Sequence, residues 1–564
     1  MVSTDVVSPD VVSPDVVSPG GVVDRVEDLL SAAVAARPDA RAVSDPDGSW
    51  TYADLDTACR SWTEWLRRNG VEAGDRVVLR MRNCRDLAAV VFAVLRRGAV
   101  VVPLSTATRP FQLAHVLRTT APRVVLAHDG DADHVRDLVP GIPVHDVDRG
   151  PHSAPTPVAS RARSREDGPA PAFLVHTSGS TAMPKGVVSP HAAVLFVTRA
   201  IAHRLRYRGD DVVLGTVPAS FDYGLYQLLL SVHATAELAF ADPSPVRLLA
   251  EVHRTGATVL PLVPSAGQLL VRLAGRDPRE PNAVRMVTST GEALPPALVR
   301  ELSRVLPRAT VVPMYGTTEC KRICVDDPLD PSPVGSVGRA LPGTVVEVVD
   351  ESGVPLPPGT QGEIVVRGPH VMAGYWRSPQ ATVQRFRCGT VGVVLHTGDL
   401  GHVDDAGNVY VSGRRDGVFK RHGVRTSAAE VEAAARDVPG VAAAAVLPPD
   451  ETHDAAVFAL RRPGERLDDD SLRAGLAARL EPAKVPPSCH VVEEFPLTAH
   501  GKTDLARLAA GLRGPTPQDT GPDGKPLHTD PLTRDHRGDH RDAARPDPAR
   551  PDAAAGPSHR SDAA

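Results

Sequence analysis

The sequence predicts an α/β protein. It has a large N-terminal domain of parallel sheets with helices and a small β subdomain, followed by a small α+β C-terminal domain. Three observations carry this reading. Helix-period and strand-like runs alternate from residue 52 to residue 320, the pattern of βαβ units. From Gly335 to Tyr410 the runs become short and strand-like, separated by Gly/Pro turns. A capping-box signature, Ser427–Ala428–Ala429–Glu430, then opens a new unit.

In chain order, residues 6–20 hold three copies of VVSP. A proline in every five-residue period suits an extended, disordered leader (1–24) rather than a solenoid, and a misassigned start codon is an equal alternative. Leu55, Ala58, Trp62, Trp65 and Leu66 fall at helical spacing over 52–69, closed by Gly70. A strand at Arg76–Arg80, a helix at Asp86–Arg97 and the apolar strand Ala99–Val102 follow. Residues 150–170 read as a linker or a long surface loop. The small domain (414–513, after a large body of 25–413) takes a helix from Ser427 to Pro439–Gly440, a strand at Val441–Leu447, a helix near Leu472–Leu480 and a strand at His490–Glu493. Residues 514–564 have Leu527 and Leu532 as their only large aliphatics, too few to offset ordering entropy, so a disordered tail is expected. His536 and His540 flank Gly538 among prolines, which argues against a metal-binding helix.

Composition excludes several classes. The 564 residues are 42% hydrophobic and 23% charged, with a net charge of −5. No basic field points to nucleic acid or an anionic membrane. The six cysteines are scattered, which fits a reducing cytosol better than a disulfide framework. The first residues have neither a basic nor an apolar signal region. The apolar stretch Ala88–Leu95 is cut by Arg96 and Arg97, short of the roughly 20 residues a span needs. A cytoplasmic protein without a membrane partner is expected. Lysine is scarce, at six residues; arginine-biased codon usage accounts for the scarcity, and each lysine merits inspection.

The chemistry-bearing segments begin at a strand, Phe173–Val175, that feeds TSGSTAMPKG (177–186). Small hydroxylic residues and glycines let backbone N–H groups approach phosphate oxygens, and Lys185 adds a cation. The spacing is not the Walker pattern, and the loop alone could be a turn. Four more segments follow in order: PMYGTTE (313–319), HTGD (396–399), GRRD (413–416) leading to Lys420 and GVR (423–425), and PLTAHGK (496–502).

Together these segments resemble the adenylate-forming superfamily of acyl-CoA synthetases, aryl and luciferase-type ligases and peptide-synthetase adenylation domains, over roughly residues 25–510. The resemblance implies ATP-dependent activation of a small carboxylic acid to an acyl-adenylate with release of pyrophosphate, then transfer to a thiol. The acceptor is CoA or, alternatively, the phosphopantetheine of a separate carrier protein. Thr177, Ser178, Gly179, Ser180, Thr181 and Lys185 would hold the triphosphate, with Gly291 and Gly316 also at the nucleotide. Tyr315 would stack near adenine, Thr318 would touch the α-phosphate, and Glu319 would ligate Mg²⁺, which prefers carboxylate oxygen. Asp399 would accept from the ribose hydroxyls, assisted by Arg414. Lys502 would bridge the acid and the α-phosphate where charge builds up. Asp416 falls at the family's hinge position, and Gly423 and Arg425 match its thiol tunnel. Ala182 stands where the family loop has glycine, which restricts φ there.

SFDYGLYQLLL (220–230) matches the acid-pocket helix, with Phe221, Asp222, Tyr223 and Tyr226 as pocket residues. Asp222 could pair a substrate ammonium, since a buried lone carboxylate is costly. A helix N-cap or a neutral acid is the slightly preferred reading. Tyr223 and Tyr226, one turn apart, would narrow the pocket, or simply pack. GEIVVRGPHVMAGYW (362–376) and HTGDLG (396–401) look more like free-standing acyl-CoA ligases than peptide-synthetase modules, and the expected protein is a stand-alone activator.

Overall fold

The computed structural model describes residues 23–512 except 129, 152–169, 179–182, 243, 277–282, 292–293, 390–391, 415–417, 423, 450–452, 463, 497–502 and 504. The chain divides into two compact units, Met1–Leu505 and Ala506–Ala564. The leader, the 152–169 stretch and the tail from 513 lie outside the described residues.

Two large sheets build the first unit. A six-stranded sheet runs Val144–Asp146, Val124–Ala127, Arg76–Arg80, Val100–Pro103, Pro171–Ser178, Pro184–Pro190. It is parallel except for its last pair, an antiparallel hairpin. A nine-stranded sheet has a parallel centre made of Thr310–Tyr315, Met286–Ser289, Val259–Leu262, Val212–Gly215, Glu237–Phe240 and Arg41–Asp45. Helix Arg85–Arg96 touches strands of both sheets, and Leu87 through Leu95 are all buried. A helix lodged between two apolar sheet faces has no solvent side to keep polar. That accounts for the unbroken apolar run at 88–95; among the described residues no helix is long and apolar enough to cross a membrane.

Helix Tyr52–Arg68 forms as its periodicity predicts, and Thr51 and Asp54 close a reciprocal capping box at its start. At Ser427 the outcome is different. Helix Ala428–Arg436 begins where predicted, with Ser427 at the cap position, but no side-chain cap bond forms. Glu430 is instead buried against the Lys484 ammonium, 3.0 Å away, and also accepts from Gln112. A buried carboxylate needs a charged partner more than the backbone needs its cap.

The β subdomain is antiparallel: Val345–Val349, Gly362–Arg367, Val393–Val403 and Phe386–Cys388, with Val409–Arg414 paired to the long third strand. A hairpin, Val418–Arg421 with Val424–Ser427, leads into a three-stranded sheet of Val441–Leu447, Ala456–Arg461 and Ser488–Val492. The second helix here is Asp469–Ala477, three residues earlier than expected at its start, because Asp468 caps it through the Ser471 N–H.

Candidate active site

The 177–186 segment joins two antiparallel strands and is not followed directly by a helix. Thr177 and Lys185 face each other in register across the hairpin. Gly179, Ser180, Thr181 and Ala182 lie outside the described residues, as does the side chain of Ser178. The Lys185 ammonium sits over the ring of Tyr375, 5.4 Å from its centroid.

Strand Thr310–Tyr315 ends in a tight reversal. The Ile323 N–H returns to the Tyr315 carbonyl at 2.8 Å, and Lys321 N–H to the Thr317 carbonyl at 2.6 Å. Any side chain at Gly316 would collide with the Lys321 carbonyl, so the fold-back demands glycine there. The reversal sets Tyr315 beside Asp399: its hydroxyl donates to Asp399 Oδ2 at 2.5 Å. Burial, reinforced by the Asp399 charge, holds the Tyr315 phenol well above its ordinary range and therefore protonated. Asp399 is 3% exposed, its own N–H fixed by Thr397 Oγ1 at 3.0 Å, and its backbone pairs with Arg414. Glu319 is buried and accepts from the Tyr375 hydroxyl at 2.7 Å. Among the described residues no three His, Cys, Asp or Glu side chains cluster as a metal cage. One buried carboxylate fits Mg²⁺, which is commonly held by one or two carboxylates together with substrate phosphates.

Of these groups, Tyr315, Gly316, Thr318 and Asp399 border a cavity of about 1250 Å³, which they share with Asp222, Tyr223 and Gly291, whereas Lys185, Glu319 and Tyr375 are not among its lining residues. Gly291 follows strand Met286–Ser289 with a φ of 106°. The far wall comes from the second hairpin, through Phe419, His422 and Val424. Asp416, Gly423 and Lys502 lie outside the described residues, and the strand positions of Arg414 and Arg425 are described without their side chains.

The acid end departs most from the sequence reading. Asp222 is not the N-cap of helix Asp222–Ala234; Phe221 holds that position, and it makes no side-chain cap bond. Asp222 instead faces Arg322, whose Nη1 lies 4.0 Å from Oδ2. Arg322 is 5% exposed, stacks over Tyr223 at 4.8 Å, and donates to the Lys321 carbonyl at 3.0 Å. Lys321 is fully buried, its ammonium donating to the Thr318 carbonyl at 3.0 Å. Burial pushes it below the usual lysine range, against the opposing pull of Asp222 and Glu319. The Tyr223 hydroxyl is anchored on the Thr288 carbonyl at 2.9 Å. Tyr226 sits in the core, not among the cavity-lining residues. Sequence reasoning missed Lys321 and Arg322 as site residues; the available signal was two adjacent cations directly after the PMYGTTE segment, between Cys320 and Cys324.

Comparison with known proteins identifies the family. Residues 30–376 match the AMP-binding enzyme family and 430–502 its C-terminal domain. The chain is 31% identical over 530 residues to an L-proline–[L-prolyl-carrier protein] ligase of Streptomyces coelicolor, covering 87% of this chain and 97% of that one. It is 30% identical over 509 residues to a sulfoacetate–CoA ligase of Cupriavidus necator, covering 86% and 98%. Peptide synthetases also match, of which this chain spans 6% to 44% of the length. Among solved structures, VinN is 40% identical with a TM-score of 0.63, over 69% of this chain and 98% of VinN, and has been solved with L-aspartate and with 3-methylaspartate. By both its family match and its fold, the chain belongs to the adenylate-forming AMP-binding enzymes.

Proposed function

We propose that this protein is an AMP-forming acid–thiol ligase acting on a small acid that carries a second anionic group, an aminodicarboxylic acid of the aspartate type. ATP and the acid give an acyl-adenylate and pyrophosphate, and the acyl group then passes to a thiol. In this reading Lys185 and the 177–181 loop contact the triphosphate, Thr318 the α-phosphate, and Glu319 Mg²⁺. Asp399 and Arg414 take the ribose, Lys502 bridges acid and α-phosphate, and Asp416 is the hinge. Phe419, His422 and Val424 on the cavity wall support the idea that the hairpin lines the thiol's approach.

The observation that carries the substrate class is the Asp222–Arg322 pair. A guanidinium keeps its charge even when buried, and 4.0 Å to Asp222 is too long for a hydrogen bond. An ammonium against Asp222 and a carboxylate against Arg322 would complete both groups, the latter in the bidentate geometry that arginine favours. VinN with its bound aspartates supports the same class, and a carrier protein is then the fitting acceptor, as for the prolyl ligase. The sulfoacetate–CoA ligase favours a second reading in which Arg322 holds the second anion, no ammonium is required, and CoA accepts.

Pyrophosphate exchange with L-aspartate, 3-methylaspartate, succinate, sulfoacetate and β-alanine, followed by transfer to CoA or a holo-carrier protein, separates the two. Preference for the aspartates with carrier loading is expected. Arg322→Leu should lower kcat/KM for the dicarboxylic acid by about 100-fold or more, as a lost charged contact does, while β-alanine changes little. Equal losses on both acids would refute the assignment of Arg322 to the second carboxylate.

A further inference from the structure

Tyr375 belongs to the HVMAGYW stretch, which the reaction scheme leaves without a task. Its backbone neighbours are pinned to two different parts of the site. The Met372 N–H donates to the Glu319 carbonyl at 2.9 Å, and the Trp376 N–H donates to the Gly186 carbonyl at 2.8 Å, beside Lys185. Tyr375 itself bridges to Val187, and its N–H is held by Thr382 Oγ1 at 3.0 Å. Gly374, at a φ of 107°, has no room for a side chain beside Thr382. The ring is fixed edge-on against Phe386, centroids 5.6 Å apart. From this rigid seat the hydroxyl donates to Glu319 Oε1 at 2.7 Å, and the ring receives the Lys185 ammonium at 5.4 Å.

We propose that Tyr375 is a positioning residue that orients the Glu319 carboxylate through its hydroxyl and Lys185 through its ring, so that the metal ligand and the phosphate-loop cation are set by one side chain. This rests on the reading of Glu319 as the Mg²⁺ ligand and Lys185 as a phosphate contact. Plain core packing would need the ring but not the hydroxyl. An outer hydrogen bond that fixes a ligating carboxylate typically governs metal affinity by about 10- to 100-fold, and a cation over an aromatic face is held electrostatically.

The test is Tyr375→Phe in the full chain, which keeps the ring, its packing and the Lys185 contact. The Mg²⁺ concentration for half-maximal pyrophosphate exchange should rise by about 10-fold or more, with kcat at saturating Mg²⁺ largely restored. Mn²⁺ binding to the ATP-loaded protein, followed by electron paramagnetic resonance, should weaken in parallel. Tyr375→Leu should in addition raise the KM for ATP at saturating Mg²⁺. Glu319→Gln serves as the reference, and a double variant with Tyr375→Phe should lose little more than Glu319→Gln alone. If Glu319→Gln weakens Mn²⁺ and Tyr375→Phe does not, the positioning role is overturned by itself. If neither does, it falls together with the assignment of Glu319.

Discussion

The hydrogen bond from Tyr315 to Asp399 joins two groups that the family resemblance assigns to different parts of the nucleotide. With the phenol held protonated, it remains a donor across the working pH range and fixes one oxygen of the carboxylate that would receive the ribose. Tyr315→Phe keeps the aromatic face and removes this constraint. The KM for ATP should rise about 10- to 150-fold, as for the loss of a hydrogen bond to a charged group. The preference for ATP over 2′-deoxy-ATP should shrink with it, both measured by pyrophosphate exchange; an unchanged preference would separate Tyr315 from ribose recognition. Tyr315, Glu319 and Asp399 lie in short motifs through which the family resemblance singled them out, and the fold sets Tyr315 beside Asp399. Lys321 and Arg322 were not legible in this way. Their meaning depends on the fold-back at Gly316, which carries them to Asp222, about a hundred positions earlier in the chain.

Among the elements, helix Asp222–Ala234 is tightly constrained at its start. Gly224, in its first turn, lies against the carbonyls of Val217 and Pro218, with no space for a Cβ. The loop is held from its other side by Asn83, which donates to the Val217 carbonyl at 3.0 Å and accepts from the Ala219 N–H at 2.9 Å. Gly224→Ala must therefore push the helix start and Asp222 away from the loop. Overpacking of this kind costs about 1–3 kcal/mol. A lower urea midpoint accompanied by a higher KM for the acid is expected, whereas loss of stability without a KM change would uncouple the helix start from the pocket. Periodicity located helices such as Tyr52–Arg68 and Arg85–Arg96 and the strand Arg76–Arg80, since apolar spacing reports burial directly. It placed Asp222 at the cap because capping is a local rule, and the ion pairing that replaces it is not local. The failed capping box at Ser427 has the same origin: Lys484 lies in another element and reaches Glu430 only in the folded domain.

On the scale of the whole molecule, buried imidazoles set an acid limit. Burial pushes His176 and His370 down to about 4, and neither His370 nitrogen has a hydrogen-bond partner among the described residues. Below the ordinary histidine value the unfolded chain binds protons that the folded chain refuses. Their contribution to stability is therefore fully present above about pH 6.5 and is lost toward pH 4, by about 1.4 kcal/mol per pH unit for each such group. Urea unfolding at about pH 7 and about pH 5 should show this loss, and His370→Leu should flatten the slope by about one group's share. Equal slopes in the two proteins would remove His370 from the account.

The place of Phe419, His422 and Val424 on the cavity wall also bears on fuel economy. In the proposed reaction an activated acid held behind that wall would be shielded from water, and little ATP would be lost to hydrolysed intermediate. Opening the wall without touching the chemistry would turn the ligase into a wasteful pyrophosphate producer, and the ratio of thioester formed to ATP consumed would register it first.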